Sequence, residues 1–66
     1  MDKQTLIRDM KSRYGSFMSV NDTAEYIGKH RNTVRELLYG LPYLYGRPKR
    51  YAITDVADRI MERMTI

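Results

Sequence analysis

The residues of this chain best suited to chemistry are cations, and they are concentrated. From Lys29 to Arg50 there are six (Lys29, Arg31, Arg35, Arg47, Lys49, Arg50) against one anion, Glu36, a net charge of +5. The rest of the chain carries six cations and seven anions, a net −1. A protein that only needs solubility intersperses its signs, whereas a one-sided basic region is the electrostatic footprint of a polyanion binder. The stretch GRPKRY, Gly46 to Tyr51, sets three cations around a proline, with Leu44 and Tyr45 before it and Ile53 after. Those apolar flanks distinguish it from a structureless tail and imply that a folded element holds the charge up.

Other chemistries find little support. The single histidine, His30, has no carboxylate or nucleophile partner evident from spacing, and the acidic residues fall on outward helix faces. There is no glycine-rich phosphate cradle and no cluster with metal-ligand spacing. With no cysteine, a disulfide framework and thiolate metal sites are excluded. The expectation is therefore a binding protein, not an enzyme, with no metal and no cofactor. A chain of 66 residues is one domain with a modest core and no room for an effector domain. No apolar run approaches the ~20 residues of a membrane span. The start, MDKQTLIRDMK, is too charged for a signal peptide. A cytoplasmic location is expected, with no membrane partner.

These cations need elements to position them. Leu6, Ile7, Met10 and Tyr14 recur at helical period, so residues 2–14 read as a helix capped by Asp2 and ended by Gly15. Residues 1–16 form a unit that either docks or serves as an arm. Residues 17–66 form the body. Phe17 to Val20 reads as extended. Ser19 and Asp22 have capping-box spacing, and Val20, Thr23, Ala24 and Ile27 line one face of a helix over 20–27 that Gly28 terminates. Val34, Leu37 and Leu38 are the apolar stripe of the next helix, ended by Gly40. A turn of about three residues joins the two helices, a helix-turn-helix. The second helix turns Asn32, Glu36 and Tyr39 away from its stripe, with Arg35 at one edge and Arg31 at its start. Arg31 in a first turn opposes the helix dipole unless an anion sits nearby.

Tyr43–Leu44–Tyr45 and Tyr51–Ala52–Ile53 read as strands of a hairpin with Arg47, Pro48 and Lys49 at its tip. Leu44, Tyr51 and Ile53 share its core face. Thr54 caps a last helix whose buried stripe is Val56, Ala57, Ile60, Met61 and Met64. The predicted fold class is mainly α with a small β-hairpin wing, a winged helix-turn-helix.

In that order, residues 19–60 resemble the excisionase-like branch of the winged-helix family related to MerR. Its members look like S-V-x-x-x-A-x-x-L-G, a helix containing T-V-R, a Leu-Pro linker, a basic wing ending in R-Y-x-I, and a closing helix. This chain has SVNDTAEYIG, NTVREL and GLPYLYGRPKRYAITDVADRI. His30 stands where the family usually has Ser or Thr as the N-cap of the second helix, and residues 1–16 lie outside the pattern.

The resemblance implies binding and bending of double-stranded DNA, with the second helix in the major groove and the wing in the adjacent minor groove. It implies a recombination directionality factor of a phage or mobile element, which assists an integrase in DNA recombination and self-associates cooperatively on DNA. Carried over, Arg31, Asn32, Thr33, Arg35 and Glu36 match the groove-facing helix, and Arg47, Lys49 and Arg50 match the wing. Lys29, Arg50 and the wing cations would neutralise phosphates. Arg35 is the candidate for guanine, Asn32 for adenine or a phosphate. Glu36 either accepts from cytosine or pairs with Arg35 or Arg31, the pairing being the expectation. Tyr39 either touches a phosphate or covers the wing base, the second expected, and Tyr43 and Tyr45 are expected to pack. The alternatives are a small transcriptional regulator on the same fold, a protein-interaction or inhibitor module with a basic face, and a stacking platform for single-stranded RNA.

Overall fold

The computed structural model describes residues 2–63. Four helices and a two-stranded antiparallel sheet follow one another as α1 (Lys3–Tyr14), β1 (Phe17–Met18), α2 (Val20–Ile27), α3 (Arg31–Leu38), β2 (Tyr51–Ala52) and α4 (Ile53–Arg63). Among the described residues no helix is long and apolar enough to cross a membrane.

The helix ends form as their residues dictate. The Asp2 carboxylate accepts from the Thr5 amide at 2.7 Å and starts α1. That bond holds the Asp2 carboxyl below its ordinary range. At α2 the capping box is complete: the Ser19 hydroxyl accepts from the Asp22 amide, and the Asp22 carboxylate accepts from the Ser19 amide. The buried Thr23 hydroxyl donates to the Ser19 carbonyl at 2.9 Å, so a polar side chain enters the core satisfied. Gly28 ends α2 in the left-handed region, φ 70° and ψ 35°, where a Cβ would be strained.

One core joins all the helices. Leu6 and Met10 of α1, Met18 of β1, Val34, Leu37 and Leu38 of α3, and Ile53, Val56, Ala57 and Ile60 of α4 are buried together. The segment 1–16, for which the sequence allowed docking or a free arm, therefore places α1 in this core. Tyr26 of α2 donates to the Asp9 carboxylate and Tyr14 of α1 to Glu25, so polar bonds as well as apolar contact hold α1 to α2. Lys3 of α1 pairs with Asp58 of α4.

The strands depart from the expected hairpin. Tyr51–Ala52 pairs with Phe17–Met18, in the register Phe17 to Ala52 and Met18 to Tyr51. Residues 43–45 contribute one bridge, Leu44 to Arg50. Met18 is fully buried, so its backbone groups must find partners, and the extended segment after Gly15 takes the edge of β2 to satisfy them. Leu44, expected in the core, is consequently half exposed, while Tyr51 packs against the core and Ile53 is buried.

Two expectations for the last helix are also corrected. Thr54 is not its cap, because α4 begins one residue earlier. The Ile53 amide already donates to the Ser16 carbonyl at 3.0 Å, and its side chain belongs to the core, so the chain passes from β2 into α4 without a linker. Met61 lies at the rim of the stripe set by Val56, Ala57 and Ile60 and is exposed. Met64, expected in the same stripe, lies outside the described residues.

Candidate nucleic-acid interface

The turn from α2 to α3 is Gly28, Lys29 and His30, all exposed. His30 acts as the N-cap despite its side chain: Nδ1 accepts from the Asn32 amide at 3.1 Å. The imidazole nitrogen thus does at this position what a Ser or Thr oxygen does elsewhere, satisfying one of the amides that a helix start leaves free.

Because Val34, Leu37 and Leu38 are buried, the opposite face of α3 faces outward. Arg31, Asn32, Thr33, Arg35 and Glu36 are all exposed. Arg35 donates to Asn32 Oδ1 at 3.1 Å, which sets the guanidinium and the amide side by side one helical turn apart. The remaining donors of both groups stay free for a ligand. The ion pair expected for Glu36 does not form. Among the described residues the side-chain ion pairs are Lys3–Asp58 and Arg13–Asp9, and Arg35 uses the neutral Asn32 instead.

The end of α3 is fixed by a residue that sequence reasoning missed. Arg59 of α4 donates from Nη1 to the Leu37 carbonyl at 3.0 Å and to the Tyr39 carbonyl at 2.8 Å. Those oxygens lack intrahelical partners, and a cation beside a helix C-terminus is favourable. No local signal singles Arg59 out, because its contacts span 22 and 20 residues.

Beyond α3 the segment 43–50 is exposed throughout. Lys49 Nζ lies 4.6 Å above the ring centre of Tyr43, a cation–π contact. Tyr43 meets Tyr45 edge-on at 5.8 Å and Tyr51 at 5.9 Å. Tyr43 therefore packs as expected. Tyr45 meets Tyr43 but stays 93% exposed, short of the packing expected, and Tyr39, at 83%, does not cover the base of the segment. Tyr39 follows the last turn of α3, on the face away from the core, so its ring stands in solvent.

The predicted site residues separate into groups. Arg35 and Lys49 line one groove, between the end of α3 and the 43–51 segment, together with Tyr39, Tyr43 and Tyr51. Lys29, Thr33 and Glu36 line a second recess with Arg63. Arg50 lines a third with Phe17, Leu44 and Asp55. Arg31, Asn32 and Arg47 stand on open surface outside these three recesses. Compared with family models, with curated proteins and with solved structures, the chain matches none.

Proposed function

We propose that this chain is a winged helix-turn-helix module that binds and bends double-stranded DNA, with α3 in the major groove and the basic tip of residues 46–50 in the adjacent minor groove. The observation that carries the reading is that Arg35 of α3 and Lys49 of the tip line one groove. The two basic elements therefore present their charge to a common ligand. An α-helix with its side chains is about 10–12 Å across, which suits a major groove about 12 Å wide. The outward row of Arg31, Asn32, Arg35 and Glu36 offers donors and acceptors to base edges, and Lys29, Arg47 and Lys49 offer charge to phosphates. No catalytic step, metal or cofactor enters.

Within DNA binding, the proposed role is that of an excisionase assisting an integrase. The order of SVNDTAEYIG, NTVREL and the basic RPKRYAI supports it, as does the basic tip, because a cation entering a narrow minor groove favours bent duplex. If about four to six phosphates are contacted, log affinity for duplex DNA falls with log salt at a slope of roughly −4 to −5. A salt-independent affinity removes the polyanion model. An excision assay with the integrase encoded nearest to this chain's gene tests the role. Stimulation supports it. Repression of a nearby promoter without any effect on excision assigns the same fold to a transcriptional regulator.

A further inference from the structure

Tyr39 is the least explained side chain next to the basic groove. It is 83% exposed, is not among the residues packed on the core, and lines the groove together with Arg35 and Lys49. Tyr43 and Lys49, joined by their cation–π contact, line the same groove, as does Tyr51, which packs against Tyr43. The walls thus combine two cations, exposed phenol hydroxyls and aromatic faces. Glu36 shares a neighbouring recess with Arg35 and Tyr39 but does not line this groove. An unpaired, positively charged and aromatic channel is complementary to a chain that is both anionic and rich in sugar and base surface.

Resting on the DNA reading above, we infer that this groove holds the sugar–phosphate strand that separates the two grooves of the duplex. Two elements entering adjacent grooves must straddle one backbone strand, and the gap between α3 and the tip is where that strand passes. Tyr39 donates its hydroxyl to a phosphate of that strand. Lys49, held over Tyr43, neutralises a phosphate in the same groove, and the Tyr39 ring lies along the sugar. Tyr39 is then a positioning contact that sets how far α3 enters the major groove, and it carries no base preference of its own.

The test uses the full chain and a short random-sequence duplex, with affinity measured over a series of salt concentrations. Tyr39→Phe removes only the hydroxyl and should weaken binding roughly ten- to a hundredfold, the worth of one hydrogen bond to a charged phosphate. Its salt slope should stay unchanged, since no charge is lost. Lys49→Ala should reduce the slope by about one. Tyr14→Phe, which loses a phenol hydroxyl bonded to Glu25 instead, should bind as the parent does. Parent-like binding by Tyr39→Phe overturns the groove assignment while leaving DNA binding intact. A parent chain that ignores duplex DNA removes the functional reading itself. Equal affinity for polyglutamate, weakened equally by Tyr39→Phe, overturns the inference in favour of an acidic protein partner.

Discussion

The α1–α2–α4 side of the molecule and the segment from Tyr39 to Arg50 are built on opposite terms. On the first side nearly every polar group near the core has a partner: Ser19 with Asp22, Thr23 with the Ser19 carbonyl, Tyr26 with Asp9, Tyr14 with Glu25, Lys3 with Asp58. On the second, Tyr39 and Leu41 are tied to the end of α3 and the Tyr39 carbonyl to Arg59, but beyond them the Leu44–Arg50 bridge holds the backbone, and Tyr39, Leu44 and Tyr45 face solvent. Among the described residues, Arg47, Lys49 and Arg50 enter no ion pair. The difference teaches that residues 43–50 add little to stability. Their side chains are free to suit a ligand, because the core does not need them. Binding surfaces on loops carried by a rigid scaffold follow the same division.

The largest expected effect breaks the scaffold and spares the segment. Leu38→Ala truncates a side chain that is 1% exposed and should lower unfolding free energy by about 2–5 kcal/mol. Tyr45→Ala, at the other extreme of exposure, should change it by no more than about 0.5 kcal/mol. Urea denaturation of both variants checks the contrast. A loss from Tyr45→Ala as large as that from Leu38→Ala would make the exposed segment part of the stabilising structure.

Next in size is an effect confined to binding. Arg35→Ala should cost about 1–3 kcal/mol on a selected DNA site and relax base preference there, with the urea midpoint unchanged. Lys49→Ala should weaken selected and random duplex alike. Competition binding with both DNAs separates the two. Identical, non-selective losses would take Arg35 out of sequence reading.

The smallest effect concerns the scaffold at alkaline pH. Burial, reinforced by the Asp9 carboxylate, pushes the Tyr26 phenol up from 10 to about 12, and burial, then the bond to Glu25, shifts Tyr14 in the same direction. The folded state keeps the Tyr26 proton at a pH where the unfolded chain has released it. The contribution is complete below pH 10 and disappears as pH rises toward 12. Tyr26→Phe should flatten the decline of the urea midpoint across that interval. Parallel declines in parent and variant would detach the effect from Tyr26.

Helices proved the most legible part of the fold. The span 20–27 follows from apolar period plus caps, because Ser19, Asp22 and Gly28 are local devices that act within four residues, and the stripe of Val34, Leu37 and Leu38 locates α3. The strand partners were not legible. β1 is two residues long, and its pairing with Tyr51–Ala52 depends on the burial of Met18, a tertiary fact with no local signature. In the candidate site, the outward face of α3 could be read from its stripe. The exposure of Tyr39 and Tyr45 could not, since a tyrosine beside a β-prone run suits packing and solvent equally well. Nor could the Arg59 contacts, which span 20 and 22 residues.

The direct passage from β2 into α4 makes chain length itself a constrained quantity. An extra residue between Ala52 and Ile53 would turn α4 by about 100° relative to the sheet. That rotation takes Val56, Ala57 and Ile60 out of the core and withdraws Arg59 from the end of α3. An extra residue between Gly46 and Pro48 only enlarges a solvated bend. Length variation in related or engineered chains should therefore collect in the tip and stop at Tyr51. The reach of the tip can be retuned by insertion and deletion, while the helix that holds α3 stays in phase.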